Sequence, residues 1–205
     1  MIELNNFGWN SMTLSFLGTL FFSFWTAWAA FGQNKLIWRN RSGKAVSSTT
    51  IFYGLCLQTA AVIYGYDIHS LAVLVGGLIR IPLLTMTIIG LGRFKGFSKK
   101  EKFMFSLSLS LLVGMLFLSS KGKMFMVFAF GSVLAYSCQL FELWLSDTTG
   151  VIDIRVVLVA LCSSIFWMVY GISIDDVVIK IVSPCFLAIS CLIIVLWFRK
   201  PKEAP

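Results

Sequence analysis

Ionisable side chains are scarce in this chain: 13% of its 205 residues are charged, and it has one histidine. Acids are the scarcer sign, nine Asp and Glu against seventeen Lys and Arg. With so little charge and 58% hydrophobic residues, the chain falls outside the composition of water-soluble domains. The five cysteines, Cys56, Cys138, Cys162, Cys185 and Cys191, show no metal-ligand spacing and have no companion histidines. Lying in apolar stretches, they read as buried small hydrophobes. A phosphate-cradling glycine loop and a nucleophile with a paired base are also missing. No residues are visible to carry enzyme chemistry, and no cofactor or metal is expected. The opening MIELNNFGWNS lacks the basic start of a cleavable signal, so the first apolar stretch is expected to remain as a span.

What the chain has instead is long apolar runs, at 12–31, 49–66, 71–92, 103–119, 124–145, 155–172 and 177–198. Each approaches the roughly 20 residues that cross the hydrocarbon. A backbone in lipid must satisfy its own hydrogen bonds, and runs this long suit helices better than barrel strands. The expected fold is an all-α, multi-pass membrane protein with seven transmembrane helices. Lys35, Arg39, Arg41 and Lys44 follow the first span, and Arg93, Lys95, Lys99, Lys100 and Lys102 the third. Those loops are expected in the cytoplasm, with the N-terminus outside and the C-terminal RKPKE inside. Lys121 and Lys123 run against this orientation but are outnumbered, and Asp147 and Asp153, in a cytoplasmic loop, carry little topological weight. The net charge of +8 is read as that bias and not as a nucleic-acid signal. The expected partners are the bilayer and a small-molecule substrate, with a homo-oligomer left open.

The chain also repeats itself. Gln33 pairs with Gln139, Trp38 with Trp144, Cys56 with Cys162, Tyr64 with Tyr170 and Gly65 with Gly171, all at one ungapped offset of 106 residues. Identities in register, Trp and Tyr-Gly among them, indicate a duplicated unit. Residues 1–92 then form a first triple-helix bundle, 93–123 a linker helix with its loops, 124–198 a second bundle and 199–205 a basic tail. The odd linker span keeps both copies in one orientation, a 3+1+3 arrangement of parallel repeats with a site near the midplane between them.

Gln33, Arg41-Ser42 and Ser47 sit on the spacing of the PQ-loop motif, with Gly32 where its proline would be and Cys138 at the same place in the second copy. Trp167-Met-Val-Tyr170-Gly171, with Asp176 five residues on, is similar to the W-x-x-Y-G…D pattern of SWEET sugar transporters. The chain thus resembles the SWEET / PQ-loop transporter superfamily over both triple-helix units. The resemblance implies alternating access around a central cavity, with Gln33 and Gln139 marking the gate or hinge regions. Glycine at 32 offers flexibility in place of the proline. Pro82 and Pro184, inside the third and seventh spans, are either substitute hinges or static kinks. Asp176 falls where relatives form an outer gate, or is a solvated turn acid.

The resemblance also puts Gly77 and Ser183 at the positions of a substrate-binding asparagine pair, and Trp167 at an aromatic that lies against the sugar. Gln58 is the partner offered by the second span, either for substrate or for interhelical hydrogen bonding. Arg80, deep in LVGGLIRIPLL, costs on the order of 3 kcal/mol in the membrane and calls for a cavity, a partner or a use. It lies three residues after Gly77 and is expected on the same helical face. It either holds an anionic group of the substrate or pairs with a gating acid, or else makes a structural bond to neighbouring carbonyls. Lys180 is expected to snorkel outward, the alternative being the vestibule, and Glu142 to pair with Arg39 or Arg41, the alternative being proton coupling. The leading expectation is a transporter of a small polar solute, sugar by resemblance. An anionic or zwitterionic metabolite held by Arg80 is the first alternative, and a non-transporting receptor or sorting factor of the same fold the second.

Overall fold

In the computed structural model the described residues are 1–41, 47–145 and 154–201, less the side chains of Ala29, Gln33, Leu36, Cys138, Gln139, Glu142, Arg155 and Val156. They form helices α1 (Ile2–Asn5), α2 (Ser11–Asn40), α3 (Ser48–Asp67), α4 (Leu71–Phe94), α5 (Lys99–Phe117), α6 (Lys121–Leu145), α7 (Ile154–Ser173) and α8 (Val177–Arg199), with no strand among them. Each apolar run is therefore a helix. Three of them, α2, α4 and α8, are long and apolar enough to cross a membrane, and α7 contains a shorter apolar stretch, Val157–Ser173.

α2 corrects the expected end of the first span. It does not stop near residue 31 but continues through Gly32 and Gln33 to Asn40, so Lys35 and Arg39 stand on its last turns and not in a loop. Nothing in Lys-Leu-Ile-Trp-Arg breaks a helix, and basic residues suit a helix C-terminus. The sides of α2 are also inverted relative to a soluble helix. Leu14, Leu17, Phe21, Phe24, Trp28 and Phe31 are exposed, whereas Ser15, Thr19, Ser23 and Asn34 are buried. An apolar face turned outward over a polar inner face is the distribution expected where the solvent is lipid.

The chain divides into two compact units, one of Met1–Asn5 and Ser23–Phe128, the other of Asn6–Phe22 and Ala129–Pro205. The first unit centres on the α3–α4 hairpin. Glycines permit its close approach: a Cβ on Gly65 would stand 2.6 Å from the backbone nitrogen of Leu74, and one on Gly77 2.7 Å from the carbonyl of Gln58. α5 packs on α3 through Phe105, stacked on Phe52 at 4.3 Å. The start of α6 adds Phe125, stacked on Tyr64 at 4.6 Å, and the Phe128 carbonyl, which accepts from the Tyr53 hydroxyl. Ser98 and Glu101 make a capping box at the start of α5. Hydrogen bonds from Ser98, a further one from Ser48 and the Lys95 charge hold the Glu101 carboxyl down at about 2. Lys121, one of the two lysines that run against the expected orientation, donates to the Met115, Leu116 and Leu118 carbonyls and so caps the end of α5.

The second unit centres on α7–α8. A Cβ on Gly171 would meet Ile179 at 2.7 Å. Phe166 fills the space beside Gly18 of α2 and lies 5.5 Å from Phe22. Lys200 donates to the Trp144 carbonyl near the end of α6.

The two hairpins share one turn, residue for residue, at the offset of 106. In the first, Ile68 N–H donates to Tyr64, His69 to Tyr66, Ser70 to Gly65 and Leu74 to Ser70; in the second, Ile174 donates to Tyr170, Asp175 to Ile172, Asp176 to Gly171 and Lys180 to Asp176. Even the strained position repeats, with φ 55° at His69 and 59° at Asp175. The N-caps differ in chemistry. Asp176 caps α8 with its own carboxylate, accepting from Ile179 N–H at 2.8 Å, whereas Ser70 caps α4 with a hydroxyl. The first hairpin takes its carboxylate from α1: Glu3, buried, accepts from Ala72 N–H at 3.0 Å and from the Ser70 hydroxyl at 3.1 Å. An acid at a helix N-terminus is favourable in both copies. Glu3→Ala is expected to destabilise the first hairpin by about 1–3 kcal/mol. Thermal unfolding in detergent measures it, and an unchanged midpoint would refute the capping role.

Candidate functional site

α2 is joined to α4 by three polar or aromatic contacts spaced along both helices. At the first, Arg80 Nη2 donates to Thr26 Oγ1 at 2.8 Å, and that hydroxyl donates to the Ser23 carbonyl. The Arg80 Nε is buried and has no hydrogen-bond partner among the described residues. At the second, Asn34 Nδ2 donates to the Leu83 carbonyl at 2.8 Å while its Oδ1 accepts from Thr87 Oγ1 at 2.8 Å. At the third, Trp38 meets Phe94 edge-on at 5.6 Å, and Gly90 leaves room for its indole.

Gly77 and Arg80 do not share one environment. The side of Gly77 where a Cβ would stand is filled by the Gln58 carbonyl and Val62 of α3, while Arg80 reaches α2. Three residues along a helix turn a side chain by about 60° from its neighbour, which is enough to aim the two at different helices. The structure thus brings Gly77 and Gln58 together as a helix contact and puts Arg80 beside it. Arg80 is bonded to the Thr26 hydroxyl, whereas the structural bond expected for it was to neighbouring carbonyls. Pro82 lies on an exposed face of α4 between the Arg80 and Asn34 contacts.

In the second unit Trp167 is half-buried, edge-on to Tyr170 at 5.9 Å. Ser183 is buried in α8, next to Pro184. Tyr136 of α6 and Ser190 of α8 are joined by a hydroxyl–hydroxyl hydrogen bond of 3.2 Å, and Phe186 lies 5.7 Å from the Tyr136 ring. Phe186 stands at the repeat position of Arg80, so the two copies have diverged at this level of the helix. Asp176 is neither solvated nor loose: it is buried and caps α8. The exposed acid of that turn is Asp175, paired with Lys180, whose hydrogen bond and positive charge hold the carboxyl below its usual range. Lys180 thus pairs locally.

Gln33 and Gln139 are helical positions of α2 and α6, but their side chains lie outside the described residues, as do Cys138 and Glu142 and the whole of Ser42, Lys44, Asp147 and Asp153. Of the remaining cysteines, Cys56 is buried, Cys162 and Cys185 are half-buried and Cys191 is exposed, which corrects the expectation of burial for the last. Sequence reasoning missed Thr26, Asn34, Thr87, Tyr136 and Ser190. A signal existed for Thr26: Ser15, Thr19, Ser23 and Thr26 recur at spacings of four, four and three residues, the mark of one polar helix face.

No family model matches the chain, and no curated protein matches it.

Proposed function

We propose that the protein is a multi-pass membrane transporter of a small polar solute, with seven spans in a 3+1+3 arrangement and alternating access between two triple-helix bundles. The observation that carries this reading is the duplicated hairpin: α3–α4 and α7–α8 repeat one turn, hydrogen bond for hydrogen bond, at the offset found in the sequence. Duplicated helical modules in a chain this apolar are the architecture of transporters with parallel repeats. The resemblance to the SWEET / PQ-loop superfamily makes a sugar the first substrate to test, with Trp167 as the stacking platform and Ser183 and Gln58 as hydrogen-bonding groups.

Arg80 favours a second reading within the same class, an anionic or zwitterionic solute. A guanidinium in a membrane helix, with one nitrogen on Thr26 and its buried Nε without a partner among the described residues, still has donors to offer a carboxylate or phosphate. The test is uptake of labelled sugars, amino acids and organic acids into liposomes containing the whole chain. Flux that falls about tenfold or more in Trp167→Ala supports transport, by analogy with the loss of one well-placed binding group. Saturable binding with no flux under any gradient would replace the transporter by a receptor of the same fold.

A further inference from the structure

At the ends of α2 and α4 a cleft of about 460 Å³ is lined by Trp38, Arg41, Arg93 and Phe94. Its two cations come from different segments: Arg93 from the last turn of α4, Arg41 from the residue after α2, held at a positive φ of 46°. Arg93 also lies over the Phe94 ring at 5.9 Å, a cation–π contact that leaves its donors available. Among the described residues no acid lines the cleft, and neither arginine takes part in an ion pair. The nearby Lys95, by contrast, is paired with Glu101.

We infer that this cleft is an anion site for a phosphate-bearing ligand, held by the forked donors of Arg41 and Arg93 against the Trp38 and Phe94 wall. Two guanidiniums, one on α4 and one just past the end of α2, with no carboxylate between them among the described residues, concentrate positive potential where a phosphate accepts several hydrogen bonds at once. The volume is within the range of small-ligand clefts. The position at the end of α4, a helix long and apolar enough to cross a membrane, puts it at headgroup depth, where basic pockets between helices meet acidic lipids. Tryptophan at that depth is an interfacial residue. The phosphate thus comes either from a lipid headgroup or from a soluble phosphate ester. The site is separate from the solute path proposed above and is assayed by binding alone.

The test titrates short-chain phosphatidylinositol phosphate, and separately inorganic phosphate and the free inositol phosphate, into the detergent-solubilised whole chain, read by native mass spectrometry. Wild-type protein is expected to bind, and Arg41→Gln with Arg93→Gln to bind roughly tenfold more weakly or worse. Lys99→Gln with Lys100→Gln removes the same charge from exposed residues at the start of α5 and is expected to stay within about twofold. Melting curves check that each variant is folded. Should the glutamine pair prove unstable, Arg41→Lys with Arg93→Lys keeps the charge but not the fork and is expected to weaken binding about threefold. Arginine-dependent binding of the lipid alone assigns the phosphate to a headgroup; equal dependence with the soluble ester assigns it to a free metabolite. Equal losses in the arginine and lysine pairs, or no binding by wild type, would overturn the site.

Discussion

Alanine at Gly65 is expected to destabilise the protein by about 2–3 kcal/mol, and alanine at Gly171 by about 1–2 kcal/mol, although the glycines occupy one position of the repeat. The difference lies in what each new methyl meets. At Gly65 the three nearest atoms are backbone, Leu74 N at 2.6 Å, Leu74 Cα at 3.0 Å and the Val73 carbonyl carbon at 3.1 Å. Relief requires moving α4 as a whole. At Gly171 two of the three are side-chain atoms of Ile179, at 2.7 and 2.9 Å, so part of the overlap is released by a shift of one residue. Both losses are net of the up to ~1 kcal/mol that alanine gains over glycine in a helix. Gly114, with nothing within 4 Å of its Cβ position, is the control and is expected to gain that amount when replaced by alanine. Melting midpoints in detergent should fall in the order Gly114→Ala, wild type, Gly171→Ala, Gly65→Ala. A neutral result at Gly65 would mean that the two helices are not packed as described.

This hairpin contact was partly legible in the sequence, because Tyr64-Gly65 and Tyr170-Gly171 recur in register and a repeated glycine in an apolar helix signals close packing. The apolar runs located all seven long helices for a similarly simple reason, since hydrophobicity over about 20 residues is a local property of the chain. Two things were not local. Glu3 meets Ser70 across 67 residues, and nothing in MIELNNFGWNS marks one acid as a cap for a distant helix. The end of α2 was misplaced because hydrophobicity ends where the bilayer would, whereas the helix ends only where hydrogen bonding or chain geometry stops it; Lys35, Trp38 and Arg39 lengthen it past that point. At the candidate site the residue types were readable but their directions were not. Gly77 and Arg80 share a stripe on a helical wheel, yet one faces α3 and the other reaches α2. Asn34, next to Gln33, joins α2 to α4 through a bond that depends on packing between the two helices.

Arg80→Met separates the two roles open to the arginine, because they predict opposite signs for stability. If Arg80 is a structural tie between α4 and α2, methionine removes its bond to Thr26, costing about 1–3 kcal/mol. If it is retained for a solute, the resting fold carries a desolvated cation with a buried, unsatisfied Nε. An apolar side chain of similar length then stabilises by about 1–4 kcal/mol, as replacing buried charge with packing commonly does. We expect stabilisation, because one hydroxyl acceptor is small compensation for a guanidinium in a helix of this hydropathy. Arg80→Gln completes the comparison. It keeps a donor for Thr26 but removes the charge, so uptake or binding of anionic solutes should fall at least about tenfold while neutral solutes change little. A stabilised Arg80→Met that discriminates between neutral and anionic solutes as the wild type does would show that Arg80 serves neither purpose. A destabilised one, with Arg80→Gln unchanged in selectivity, would return the residue to a structural role and leave sugar as the solute to pursue.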